Sequence, residues 1–362
     1  MPENESLNLL ERIKAEIRRD GPITIARYME ICGSDPDAGY WQRGQTIGSG
    51  GDFITAPEIS QIFGELIGLW CAVVWQQMGS PDPVHLIELG PGRGSLMRDM
   101  LRTMRRAAGP LHGAARVHLV EVGAPLRAAQ AAMLEGLPSQ APHWHEDIGE
   151  IAEGPALIVA NEFLDALPIR QLVADGDGWR ERVVGLAGDG LAFAAGAAAV
   201  PPGAPEGRPS AAAGDILELR QGEDALLGRL ARREAPFAAL IIDYGPAEGE
   251  TGDTLQAMRR HAWVDPLEEP GAADLTAHVR FAGLARKAQA LGLAVDGPIT
   301  QAEFLGALGL APRASRLMAA NPAEAAAIEL AAQRLVAPTG MGSLFKVLCV
   351  RTPSLPPAPP WG

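Results

Sequence analysis

The chain has 362 residues, of which 47% are hydrophobic and 21% charged, and its formal net charge is -13. These proportions exclude wholesale disorder and a fibrous architecture and allow a large core. The acidic balance argues against a broad basic surface that tracks phosphate backbones, so nucleic acid is a poor expected partner.

From Met1 to Asp20 an amphipathic stripe of Leu7, Leu10, Ile13 and Ile17 predicts a helix and lacks the apolar core of an export signal. A break at Gly21-Pro22 leads to a second short helix ending near Cys32. The stretch Gly33 to Ala56, rich in Gly, Asp and Pro, predicts a long loop, which in a compact protein is often a lid. Pro57 suits a first helical turn, and Ile59, Ile62, Phe63, Leu66, Ile67 and Trp70 mark a helix to about Met78. Its apolar stretch, Leu66 to Trp75, is about half the ~20 residues of a membrane span and predicts a core helix.

From Val84 short apolar runs alternate with amphipathic stretches, the signature of βαβ units and a parallel α/β sheet. Strands are expected at Val84 to Leu89, Arg116 to Val120, Ala156 to Val159 and Ala238 to Ile242, with helices at Ser95 to Ala108 and Ala124 to Leu134. Hairpin-like pieces follow at Gln171 to Leu186, then a loop at Ala197 to Ala213. Residues 251–335 read as a mainly helical insertion, Ser343 to Val350 as a closing strand, and 353–362 as an extended, poorly packed, flexible tail. The expected organisation is therefore 1–80 for the N-terminal helices and lid loop, 81–250 plus 336–352 for the core, then insertion and tail.

Cys32, Cys71 and Cys349 are far apart and form no Cys-x-x-Cys pair, which fits a reducing compartment. Without an export signal or a span, cytoplasmic residence is the expectation. His143-x-His145 has the spacing of two metal ligands but no third partner, so it reads as surface or packing and no metal is expected.

The strongest local signal is Glu88-Leu89-Gly90-Pro91-Gly92-Arg93-Gly94-Ser95, a strand running through a glycine turn into a helix. Glycines let backbone approach a ligand, and the helix N-terminus offers amides to an anion. The spacing of Gly90, Gly92 and Gly94 is G-x-G-x-G, unlike a dinucleotide fingerprint, and Glu88 would repel phosphate while suiting an ammonium group. The methionine end of S-adenosylmethionine carries both an ammonium and a carboxylate, which matches this pairing. Glu121, ending the second strand, is the ribose candidate. Asp147 and Ile148 are candidates for the adenine amino group and ring, and Asn161 for the cofactor rim of the fourth strand. Glu162 is the first candidate catalytic clamp, with Asp165 and Asp243 as weaker partners; Asp165 reads equally well as a helix-start acid.

These strings, with Gly51-Asp52-Phe53-Ile54-Thr55-Ala56-Pro57-Glu58, Asn161-Glu162-Phe163-Leu164-Asp165-Ala166-Leu167-Pro168, Asp274-Leu275-Thr276-Ala277-His278-Val279 and Gly342-Ser343-Leu344-Phe345-Lys346, make the chain resemble the MidA family of S-adenosylmethionine-dependent methyltransferases over nearly its whole length. The resemblance implies a Rossmann-like seven-stranded methyltransferase core with extra helices. It also implies arginine methylation of a protein partner, a respiratory complex I subunit in the mitochondrial relative, and a part in complex I assembly. Trp41 stands where many members have Tyr. Arginine is protonated with a pKa above ~12, so carboxylates should clamp it, Glu162 foremost. The loop from Gly50 to Glu58 is expected to fold over the site, with Asp52, Phe53 and Thr55 as lid or substrate contacts. Two other readings stay open: a module that binds the cofactor without turnover, and a nicotinamide-dependent oxidoreductase, which the glycine spacing and Glu88 disfavour.

Overall fold

The computed structural model describes residues 8–43, 54–175, 178–198, 212–248 and 252–362. The chain opens on α1 (Leu9–Asp20), whose first turn is capped by the Asn8 side chain accepting from the Glu11 N–H. After the Gly21 break, α2 (Ile25–Ser34) is capped in the same way by Thr24. The helix expected from Pro57 is interrupted: a short turn, Ala56–Ile59, stops at Ser60, which is extended and caps α3 (Gln61–Gln77) by accepting from the Ile62 N–H. The remaining helices that frame the site are α4 (Ser95–Ala107), α5 (Ala124–Met133), α6 (Gln221–Ala231) and α7 (Phe281–Ala290).

The central sheet has seven strands: β1 (Val84–Leu89), β2 (Ala115–Val120), β3 (His143–His145), β4 (Ala156–Asn161), β5 (Phe237–Tyr244), β6 (Ala294–Thr300) and β7 (Phe345–Arg351). Their order is β6-β7-β5-β4-β1-β2-β3, with β7 antiparallel to both neighbours and the rest of the sheet parallel. This is the expected mixed α/β sheet. β4 is buried at every position and β5 at all but its last, as a strand covered on both faces must be. One face packs Leu86, Leu157, Leu240 and Val347 against Phe63, Trp70, Met97 and Met100 of α3 and α4. The other sets Ile87, Ile158, Ile241 and Leu348 against Leu226, Leu227 and Leu230 of α6 and Phe281 and Leu284 of α7. A third cluster joins α1 and α2 to an accessory five-stranded sheet that includes the expected hairpin, Arg170–Ala174 with Trp179–Ala187.

Two expectations need correction. The region 251–335, read as a mainly helical insertion, contains β6, an edge strand of the central sheet, and a three-stranded sheet of Gln256–Arg259, Ala262–Val264 and Asp274–Thr276. β6 was hidden because Asp296, Gly297 and Pro298 interrupt its apolar pattern; proline is tolerated there because an edge strand bonds on one side only. The accessory strands, three or four residues each, are too short to show alternation.

The proline-rich tail is also packed rather than flexible. Ala358 is buried, its N–H donates to Asp296, and the Trp70 indole N–H donates to the Pro359 carbonyl at 2.9 Å. Proline fixes the backbone without needing partners for its own nitrogen, so the tail can lie over α3 and the sheet edge at low entropic cost. Among the described residues no helix is long and apolar enough to cross a membrane.

Asp296 accepts from Nε and Nη2 of Arg351, at 2.7 and 3.0 Å, and both residues are 7% exposed. Asp296→Ala would leave that guanidinium buried without its partner. Urea denaturation should show a loss of about 3 kcal/mol at unchanged m-value; a loss below about 1 kcal/mol would show that the tail and the pair do not lock the sheet edge.

Candidate functional site

The carboxyl ends of β1, β2 and β4 diverge where strand order reverses about β1, the position at which open α/β sheets bind ligands. There the structure has a cavity of about 350 Å³, whose wall includes Glu88, the glycine turn, Glu121, Asp147, Ile148, Asn161 and Glu162. Thr55 and Glu58 close one side of it. Asp52 and Phe53 lie outside the described residues.

The turn after β1 works because Gly90, Gly92 and Gly94 adopt φ of 64°, 51° and 88°, a region costly for residues with a Cβ. A Cβ on Gly90 would also stand 2.8 Å from the Phe163 ring. Glu88, at 3% exposure, turns inward beneath this loop; Oε2 has no hydrogen-bond partner, and burial pushes its carboxyl up to about 8. A buried, unpartnered carboxylate oxygen on a cavity wall is a demand for a cationic or donor group.

Glu121 Oε1 accepts the Gly123 N–H at 2.8 Å, and Oε2 accepts from Gln130 at 3.2 Å. Burial still raises its carboxyl above the ordinary range. Gln130, wholly buried on α5, also donates to the Gly92 carbonyl at 2.7 Å and accepts the Trp144 indole N–H at 2.8 Å. Its amide therefore ties the glycine turn, the ribose candidate and β3 together. Sequence reasoning missed it, although a glutamine on the apolar stripe with Leu126 is a readable signal. Asp147 accepts the Gly149 N–H at 2.7 Å and pairs with Arg229 at 2.7 Å, so both of its oxygens have partners although it lies on the wall. Ile148, 6% exposed, covers the same corner.

At the end of β4, Asn161 donates to Glu162 Oε1 at 3.0 Å, and Asn161 Oδ1 is buried without a partner. Glu162 sits at φ 52°, an uncommon conformation for a residue with a side chain. Its Oε1 also accepts the Ala56 N–H at 3.1 Å, which fastens the stem of the expected lid to the rim. Burial pushes its carboxyl up to about 7, a neighbouring Asp165 adding to the shift. Glu58, which ends the expected lid loop, accepts from Ser95 Oγ at 2.5 Å at the start of α4.

Asp165 and Asp243 are not on the cavity wall. Asp243 is fully buried on β5: Oδ2 accepts the N–H groups of Phe163, Leu164 and Asp165 at 3.2, 2.9 and 3.2 Å, and Oδ1 accepts that of Tyr244 at 2.8 Å. A side chain so engaged holds the loop after Glu162 and does not reach a ligand. Asp165 points behind that loop, where burial pushes its carboxyl up to about 6 against a hydrogen bond to Tyr244. His143 and His145 have no metal geometry; among the described residues no group of three or more His, Cys, Asp or Glu could hold an ion.

A family model described as "Putative S-adenosyl-L-methionine-dependent methyltransferase" matches residues 66–299. The zebrafish (Danio rerio) protein arginine methyltransferase NDUFAF7, mitochondrial, is 34% identical over 95% of this chain and 86% of its own length. The human protein of the same name is 35% identical over 87% of this chain and 76% of its own. A crystal structure from Burkholderia thailandensis, bound to S-adenosyl-homocysteine, superposes with a TM-score of 0.80 at 26% identity, covering 97% of this chain and 93% of that one. The cytoplasmic expectation is corrected by these relatives, which are named as mitochondrial proteins. An argument from a missing export signal does not separate one reducing compartment from another.

Asp243→Ala would strand the backbone N–H groups of Phe163, Leu164, Asp165 and Tyr244. Chemical denaturation should show a loss of about 2–3 kcal/mol; stability within about 0.5 kcal/mol of the parent would mean that the loop holds itself.

Proposed function

The chain belongs to the S-adenosyl-L-methionine-dependent methyltransferase family whose model spans residues 66–299, and from that premise we propose that it methylates arginine side chains of a protein partner. The observation that carries this reading is the cavity itself, with the unpartnered Glu88 oxygen under the glycine turn and the Asn161–Glu162 pair on the same wall. The names of the relatives supply the substrate class. The finer reading, an arginine on a respiratory complex I subunit and a part in complex I assembly, follows from the family resemblance.

S-adenosylmethionine supplies an electrophilic methyl group when bound. Glu88 would take its ammonium group, the amides at the start of α4 its carboxylate, Glu121 the ribose hydroxyls, and the Asp147–Ile148 corner the adenine. The fit rests on donor chemistry: the orphaned Glu88 oxygen needs a cation, and Glu121 has a carboxylate already oriented by Gly123 and Gln130.

On the substrate side, Glu162 and the free Asn161 Oδ1 would receive the guanidinium. A carboxyl raised to about 7 by burial gains its charge when a cation arrives, so Glu162 both clamps the substrate and can hold the proton that arginine must release. Asp243 and Asp165 act one layer back, by fixing the backbone that presents Glu162.

Glu162→Gln should retain cofactor affinity and lower transfer of labelled methyl groups to arginine-containing protein at least about a hundredfold. Transfer at the parental rate would remove Glu162 from the mechanism, and no transfer by the parent to any arginine would favour a cofactor-binding module. Cofactor affinity should also depend on pH. Binding the ammonium requires ionised Glu88, which in the free protein is protonated below about 8. Calorimetry from about pH 8 to about pH 6 should therefore show affinity falling by up to about tenfold per unit. In Glu88→Gln binding should be weak and its pH dependence lost; a flat parental profile would contradict the assignment.

A further inference from the structure

His85 on β1, His118 on β2 and His145 on β3 stand side by side across neighbouring strands, and no part of the proposed reaction uses them. His85 Nδ1 is 2.9 Å from His118 Nε2, and His118 Nδ1 is 3.0 Å from His145 Nε2. We infer that these imidazoles form a directed chain that takes up one proton, at His145, and thereby tightens the corner holding the adenosine end of the cofactor. The coupling rests on the cofactor reading above; the chain itself does not.

The protons of the chain can be counted. A neutral imidazole has one N–H and one lone pair. Both outer contacts of the chain are with acceptors. At one end the remaining His85 nitrogen meets the Glu153 backbone, an interaction that favours the charged ring and is therefore donation to a carbonyl. At the other, His145 Nδ1 faces Glu150 Oε2 at 3.6 Å. Two inner and two outer contacts thus each want one proton, and three neutral rings supply one too few. With the Glu153 carbonyl satisfied, every ring donates from Nε2 in the same direction, from β3 through β2 and β1 to Glu153, and the His145 Nδ1 lone pair is left against a carboxylate. The geometry has that form: two short inner contacts and one at 3.6 Å, too long for a hydrogen bond.

One added proton on His145 Nδ1 completes the set and creates an ion pair with Glu150. A second, on His118 Nδ1, would oppose the His145 N–H, so the chain accepts one only. The surroundings agree. Burial, and then the neighbouring histidines and Arg233, push His118 down to about 3. His143 stacks on His118 at 5.5 Å between ring centroids. Arg116, Arg233 and Glu153 act on His85, and His143, Arg127 and Glu150 on His145. Burial also holds His145 below its ordinary 6.5, which places uptake on the acid side of neutrality.

The link to the cavity is direct. Glu150 Oε2 also accepts the Glu146 N–H at 3.3 Å, and the His145 carbonyl accepts the Glu121 N–H at 2.9 Å. Glu121, Glu146, Asp147 and Ile148 all lie on the cavity wall. Drawing His145 to Glu150 therefore firms the turn that carries Glu146, Asp147 and Ile148, and with it the His145 carbonyl that holds the Glu121 backbone.

Nitrogen-15 NMR of labelled histidines, with adenosine as the titrant, tests both parts. Adenosine lacks the amino-acid end, so Glu88 does not enter. At about pH 8 all three rings should be Nε2–H tautomers, and down to about pH 5 only His145 of the three should titrate. Glu150→Gln should lower that titration by about half a unit. By linkage, adenosine affinity should rise about threefold from about pH 7.5 to about pH 5 in the parent and stay flat in Glu150→Gln. An Nδ1–H tautomer at His118, or its titration in this range, would overturn the chain. Parallel affinity profiles in the two proteins would overturn the coupling. No adenosine binding at any pH would overturn the cofactor reading and the coupling together, leaving the NMR result to decide the chain.

Discussion

The carboxylate of Asp243 gathers the backbone of Phe163, Leu164 and Asp165 at the carboxyl end of β5 and so determines where the loop after β4 can go. That loop leaves the sheet through Glu162 in the left-handed region, which costs of order 1 kcal/mol or more for a residue with a Cβ. The four backbone N–H groups that donate to this one fully buried side chain offset that cost. Everything proposed for the substrate side rests on this anchoring. Glu162 can meet the Asn161 amide and the Ala56 N–H only because its backbone is turned towards the cavity.

The cofactor side is organised by a second buried polar group, the Gln130 amide. It links the Gly92 carbonyl, the Glu121 carboxylate and the Trp144 indole, so the glycine turn, the second strand and the third are held in one network. Polar groups buried in this way call for partners, and among the buried side-chain oxygens that have none, Glu88 Oε2 and Asn161 Oδ1 belong to residues of the cavity wall. The two orphaned oxygens call for different ligands. Under the glycine turn the need is for an ammonium; on the β4 rim, beside an acid whose charge burial suppresses, it is for a hydrogen-bonding cation.

The parts of this arrangement that could be read from sequence are those in which adjacent residues form the motif. Val84 to Ser95 states a strand, a glycine turn and a helix in one string, and the acids after it mark successive strand ends. Longer-range features were not legible. β6 is broken by Gly297-Pro298 and carries a charge whose partner, Arg351, lies far away in sequence. The tail reads as loose from its prolines, yet it is fixed by Trp70 and Asp296, contacts that no local pattern encodes. Asp243 was visible as an acid at a strand end, but whether such an acid faces the ligand or the backbone behind it depends on which loop crosses it, a tertiary fact. Compartment was misjudged because the absence of one address says little about others.

On this reading the wall holds a zwitterionic nucleoside with its ammonium on Glu88. A crystal structure of the chain with S-adenosyl-homocysteine tests it most directly. The ammonium should lie within hydrogen-bonding distance of Glu88 Oε2, the ribose hydroxyls on Glu121, and the adenine beside Ile148, with Glu162 facing the sulfur end. Density showing the nucleoside reversed, or bound away from the glycine turn, would contradict it.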